Sequence, residues 1–249
     1  MSVKSSNERG LLEERLQKVV LRVREAEKRY RRSEGEVQIL PVSKTWPVED
    51  IIRAARAGMS AFGESYLQEA EEKISALADL ALEWHFIGPI QSNKTQTIAS
   101  LFQWVHSVDR EKIARRLNDQ RPAGLPPLNI CLQLNVSGEA SKSGVSAEAL
   151  PALAEQIMSL PRLRLRGLMA IPEPNDDFEL QRASFRPVRE AFAALKVALQ
   201  ANEVNLDTLS MGMSGDMEAA IAEGATMVRV GTGIFGLRDQ DLHKQSSGD

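Results

Sequence analysis

Lys44 closes the apolar run "VQILPVSK" (37–44), where a strand should end and where a lysine is costly to bury. An amine held there is either a rim charge or a nucleophile toward a carbonyl carbon. Two later stretches have the makeup of a phosphate cradle, "SMGMSGDME" (210–218) and "RVGTGIFG" (229–236). Gly212, Gly215 and Gly231 let backbone amides approach a ligand, and Ser214 and Thr232 add hydroxyls. Ser214 could instead cap a helix that begins near Asp216. Arg229 stands inside the apolar run "TMVRVG", and an arginine in a buried strand needs a partner or a ligand.

Other chemistries are poorly served. His85, His106 and His243 form no cluster with carboxylates or thiols at metal-ligand spacing, so no metal site is assigned. His85 and His106 lie in strand-like runs and read first as satisfied core or rim histidines, His85 gaining weight from the adjacent loop "GPIQSNK". Cys131, the single cysteine, sits in "LNICLQLNV" and reads as a small buried side chain. It has no partner for an internal disulfide, which points to a reducing compartment. "GTGIFG" (231–236) matches a dinucleotide-binding glycine pattern, but only 13 residues follow it, too few for the helix, strand and acid such a fold requires. There is no G-x-S-x-G elbow and no P-loop.

The elements that must position these residues follow from periodicity. Residues 7–30 repeat apolar positions at three- and four-residue steps and predict an amphipathic helix. After it, eight apolar runs (37–43, 60–64, 83–88, 104–108, 128–136, 164–171, 206–212 and 226–232) alternate with helical patterns. Strand–helix alternation means parallel pairing with right-handed crossovers. Eight units in 249 residues predict a single α/β (β/α)8 TIM barrel preceded by an extra N-terminal helix. One domain covers 1–249, with about 10–237 ordered and 238–249 a polar tail. The net charge of −3, from 31 basic and 34 acidic residues, gives no basic excess for nucleic acid. The polar N-terminus has no signal-peptide pattern, and no stretch approaches the ~18 apolar residues of a membrane span, which predicts a cytoplasmic protein.

Such barrels carry their chemistry at the C-terminal ends of the strands, often with phosphate bound by the loops after strands seven and eight. Lys44 follows strand one and the two glycine loops follow strands seven and eight. Lysine facing a phosphate cradle suggests a Schiff base to a phosphorylated aldose or to pyridoxal 5′-phosphate (PLP). Arg229 favours PLP held without a proton donor to its ring nitrogen, since arginine stays protonated. That weakens the cofactor as an electron sink and suits carriage over deep carbanion chemistry.

At "VSKTWP" (42–47), "AFGES" (61–65), "WHFIGPIQSNK" (84–94), "NVSGEASKSG" (135–144), "GLMAI" (167–171), "LSMGMSGDMEAAI" (209–221) and "VRVGTGIFG" (228–236) the chain resembles the YggS/PROSC family, the PLP homeostasis proteins. The resemblance spans about 10–237 and implies a TIM barrel of PLP fold type III, like the N-terminal domain of alanine racemases. It implies Lys44 as the Schiff-base lysine and Arg229 at the pyridine nitrogen. Ser214, Gly231 and Thr232 fall at phosphate-binding positions, with Met213 supplying an amide, and Ser210 and His85 complete the cofactor-binding set. Ser65 departs from the family's usual asparagine after the "FGE" glutamate.

The role implied is PLP carriage and vitamin B6 homeostasis in a monomer, with PLP-dependent apo-enzymes as recipients and no catalytic residue assigned. A PLP-dependent amino acid racemase is the alternative. It needs a second base, which alanine racemases take from a further domain not expected here, and Tyr30 and Tyr66 read as packing or surface residues. A Schiff-base aldolase would require the lysine on a middle strand. Lys94 and Lys142 could hold PLP in passing, though both read first as solvated.

Overall fold

A computed structural model describes residues 4–137, 143–199 and 206–237. The polar tail at 238–249 and Lys142 lie outside the described residues. Eight parallel strands form the inner wall: β1 (Gln38–Pro41), β2 (Ala61–Glu64), β3 (Glu83–Phe86), β4 (Trp104–Val108), β5 (Leu128–Gln133), β6 (Leu163–Met169), β7 (Thr208–Ser210) and β8 (Met227–Val230). The hydrogen-bonded order is β1-β8-β7-β6-β5-β4-β3-β2. A further parallel bridge between Val42 and Gly63 joins β1 to β2 and closes the ring. All eight expected strands are present, because strands covered on both faces read as continuous apolar runs.

Helices α1 (Lys4–Arg29), α2 (Val48–Arg56), α3 (Leu67–Ala76), α4 (Thr95–Leu101), α5 (Glu111–Gln120), α6 (Leu150–Met158), α7 (Phe178–Leu199) and α8 (Met217–Ala222) surround the strands, with α9 (Thr232–Phe235) at the mouth. The extra N-terminal helix α1 buries Leu12, Leu16, Val19 and Val23. Glu27, near its C-terminus, accepts the backbone N–H groups of Val37 at 2.6 Å and Gly35 at 3.1 Å, tying the helix to the start of β1.

Three boundaries differ from the periodicity, each for a local reason. The run 206–212 yields a strand only over Thr208–Ser210, because Gly212 adopts φ +94° and turns the chain. A Cβ at Gly212 would also lie 2.6 Å from Ala220 Cβ, so α8 packs directly on this turn. The helical pattern after the run 128–136, which opens at Ser146, forms a helix only from Leu150, with Pro151 in its first turn, where the missing N–H costs nothing. Strand eight stops at Val230 instead of 232, and Thr232–Phe235 forms the one-turn helix α9. Phosphate-binding barrels commonly carry a short extra helix here.

Candidate functional site

A cavity of about 340 Å³ opens at the C-terminal end of the barrel. Lys44, Met213, Ser214, Arg229, Gly231 and Thr232 all line it, so loops from β1, β7 and β8 converge as the sequence predicts. Val42, Trp46, Ile87 and Ile171 give it apolar walls, and Ser65 contributes a polar edge. The Ser65 loop is held by Gly88, where a Cβ would lie 2.1 Å from Ser65 O. His85 and Ser210 do not line the cavity. Both are buried in the barrel interior beneath it.

Lys44 sits on the corner of a strained turn. Trp46 N–H donates to Ser43 O at 3.0 Å, closing a four-residue turn with Lys44 second and Thr45 third. A positive φ at the third position is the signature of a type II turn and favours glycine. Thr45 takes it at +68° despite its branched Cβ. A buried polar cluster grips both flanks. Lys73 Nζ donates to Ser43 O at 2.7 Å and to Glu64 Oε1 at 2.8 Å, and it also bonds Glu69. Ser43 Oγ donates to Glu64 Oε1 at 2.7 Å, while Glu69 Oε1 accepts Thr45 N–H at 2.5 Å. Burial raises the pKa of Glu64, with Lys73 and the Ser43 hydroxyl pulling the other way. Lys44 O accepts the Thr45 hydroxyl at 2.5 Å, while among the described residues the Lys44 amine has no hydrogen-bond or ion-pair partner and is left to the cavity.

Arg229 forms the floor. Its Nη1 donates to Ser210 O at 2.7 Å and Ser210 Oγ at 2.8 Å, and its Nη2 to Ala170 O at 3.0 Å. Burial lowers its pKa to about 10, opposed by the charge of Asp216, so it stays a cation at neutral pH. Below it, Ser210 Oγ lies 2.9 Å from His106 Nδ1, and His106 Nε2 lies 2.9 Å from His85 Nδ1. Burial pushes the pKa of each imidazole below its ordinary value, His106 the further. Cys131 is fully buried and its thiol is pushed up to about 12, which fits an inert core residue.

The far wall is the loop pair. Ser214 does not cap α8. Its Oγ accepts Gly233 N–H at 3.1 Å and so links the β7 loop to α9. Asp216 precedes α8 and accepts Met213 N–H at 2.6 Å, which shapes the loop. Gly231 and Thr232 open α9 beside the cavity.

The sequence reading missed the Lys73–Glu64–Glu69 cluster. One signal was available: Lys73 falls at core spacing between Ala70 and Leu77, both buried. The sequence presents His106 as a core or rim histidine without its network, since the link to Ser210 joins residues 104 positions apart. Lys94 is exposed and does not line the cavity. Among the described residues, no group of three metal-ligating side chains comes together.

The family model of the alanine racemase N-terminal domain matches residues 16–239. The pyridoxal phosphate homeostasis protein of Pseudomonas aeruginosa is 60% identical over 226 residues, covering 91% of this chain and 95% of that protein. The structure of PipY from Synechococcus elongatus with PLP bound superposes with a TM-score of 0.77 at 35% identity, covering 90% of this chain and all of PipY. An alanine racemase of Clostridium difficile shares the barrel alone, with a TM-score of 0.70 at 14% identity, over 93% of this chain and 58% of the racemase. With a lysine, a buried arginine and two glycine loops meeting at the mouth of that barrel, the chain belongs to the alanine racemase N-terminal domain family and, within it, to the pyridoxal phosphate homeostasis proteins.

Proposed function

We propose that this protein binds PLP in the cavity at the barrel mouth, linked to Lys44, and serves vitamin B6 homeostasis as a non-catalytic cytoplasmic monomer. The observation that carries the reading is the convergence of Lys44, Arg229, Ser214, Gly231 and Thr232 on one cavity of about 340 Å³. That volume suits a small cofactor. The residues present fit PLP: an amine for the aldehyde, hydroxyls and glycine amides for the phosphate, a guanidinium for the ring nitrogen and apolar walls for the ring faces.

When bound, PLP supplies a conjugated electron sink. Lys44 lines the cavity and would be the residue that holds the aldehyde end of the cofactor through its side-chain amine. Ser214, Thr232 and nearby amides would hold the phosphate. Arg229 would donate to the ring nitrogen without giving up a proton, which would limit the sink. The strained turn under Lys44 fixes the amine, because both peptide groups beside it are tied to Lys73 and Glu69.

Racemisation would call for a second base on the opposite face of the substrate carbon. Tyr66 is exposed, Tyr30 packs against the core, and neither lines the cavity, which supports carriage of PLP to apo-enzymes over turnover. Among the described residues no helix is long and apolar enough to cross a membrane.

The test is the visible spectrum of purified protein mixed with PLP, beside Lys44→Ala, followed by borohydride reduction, peptide mapping and amino acid racemase assays. A band near ~420 nm in the wild type only, with the reduced adduct on Lys44, supports the reading. Wild-type protein with no band even after PLP is added defeats it. Turnover of an amino acid would replace carriage with catalysis.

A further inference from the structure

A line of hydrogen bonds runs through the barrel interior from one face to the other. It begins at Arg229 Nη1, passes Ser210 Oγ, His106 and His85, and ends where His85 Nε2 lies 3.0 Å from Glu83 Oε1. Arg229, Ser210, His106 and His85 are each at most 3% exposed. Glu83 opens β3 at the opposite end of the barrel, and its side chain is 48% exposed. Barrel interiors are ordinarily filled by branched apolar side chains, so four polar residues in line require an explanation.

The chemistry of the two ends dictates the direction of the line. Arg229 can only donate, so Ser210 Oγ accepts from it and turns its own hydrogen toward His106 Nδ1. With Nδ1 accepting, a neutral His106 carries its hydrogen on Nε2 and donates to His85 Nδ1. His85 then carries its hydrogen on Nε2 and donates to Glu83, which when ionised can only accept. Every donor points from the guanidinium to the carboxylate. The rings have little freedom to turn. Trp104 stacks on His85 with centroids 5.2 Å apart and planes 7° apart, and Arg166 covers Trp104 at 4.5 Å. The titratable groups facing the imidazoles are Glu83 from β3 and Arg229 from β8, with the buried Cys131 thiol packed in a cluster with Trp104 and the Arg166–Asp207 pair beyond the Trp104 ring.

We propose that Glu83, His85 and His106 are positioning residues that act through Ser210 on Arg229. The carboxylate at one face of the barrel fixes the polarity of the line and thereby holds the guanidinium that meets the cofactor ring at the other face. The effect on cofactor binding rests on the PLP reading above. The polarity of the line is a property of the chain itself.

The test has two arms. Long-range 1H–15N spectra of histidine-labelled protein, recorded without PLP at neutral pH, report the tautomers. Wild type and Glu83→Gln, whose amide oxygen still accepts, should show His85 and His106 both with hydrogen on Nε2, and Glu83→Ala should lose that fixed pattern. In the second arm, PLP affinity should fall about tenfold in Glu83→Ala, the scale of one hydrogen bond, and be restored in Glu83→Gln. The pH profile of the visible band should shift in the alanine variant alone. A hydrogen on Nδ1 of either histidine in wild type overturns the proposal. So does an alanine variant whose tautomers change while its PLP affinity and band do not. Should wild type fail to bind PLP at all, the functional reading falls, and the spectra still decide the polarity of the line.

Discussion

Thr45 N–H donates to Glu69 Oε1 at 2.5 Å while Thr45 is held at φ +68°. A β-branched residue in that region costs about 1–2 kcal/mol, and the strain persists because the carboxylate on α3 takes the amide. Strain beside Lys44 is therefore stored by a residue 24 positions away.

Glu69→Ala should cost about 1–3 kcal/mol in urea unfolding and weaken PLP binding, since Thr45 N–H and Lys73 both lose an acceptor. In a Thr45→Gly background, where the left-handed turn is unstrained, the same substitution should cost less by about 0.5–1 kcal/mol. Equal costs in the two backgrounds would show that Glu69 does not hold the turn.

Lys73→Met leaves Glu64, which is fully buried, without its cation. Removing one partner of such a pair should cost about 3–5 kcal/mol. Adding Glu64→Gln should recover part of the loss, because the uncompensated charge goes with it. Thermal unfolding of the two single variants and the double variant checks this, and strict additivity would contradict it.

Ser214→Ala removes the acceptor of Gly233 N–H and a hydroxyl at the proposed phosphate end of the cavity. PLP affinity should fall about tenfold, while affinity for pyridoxal, which lacks the phosphate, should change less than about twofold. Equal losses for the two ligands would move the phosphate elsewhere. Equilibrium titration followed by absorbance gives both constants.

Glu27 carries an acid-dependent part of the stability. Burial acts to raise its pKa, but Arg24 and the amides of Val37 and Gly35 together hold it below its ordinary value of 4.5. A depressed folded-state pKa means the stabilisation is fully present above the ordinary value and is lost as pH falls through the depressed one. Glu27→Gln should therefore cost about 1–2 kcal/mol at neutral pH, and the gap to wild type should close as pH falls through the depressed pKa, below the ordinary carboxylate range. A gap unchanged at acid pH would mean that the carboxylate charge is not what ties α1 to β1.

The barrel was legible in the chain because parallel strands covered on both faces must be apolar and their crossover helices amphipathic, so eight runs such as "EWHF" and "LNICLQ" announce themselves locally. The lysine at the end of strand one and the glycine loops after strands seven and eight were legible for the same reason, since closing the ring of strands brings those loops to one mouth. The helical turn at Thr232–Phe235 was not. Four residues are too few to show a period, and the turn depends on contacts with Ser214 and α1. Nor could Glu69, Lys73 and Glu64 be seen as a brace, or Glu83, His85, His106 and Ser210 as a line. Each is an ordinary polar residue in its own segment, and only when helix and strand pack do their donors and acceptors come within 3 Å of one another, where burial removes the water that would otherwise satisfy them. The sequence alone thus determined the barrel and which loops must meet at its mouth. The tertiary structure decided how the lysine and the arginine are held, because that depends on hydrogen bonds between residues distant in the chain.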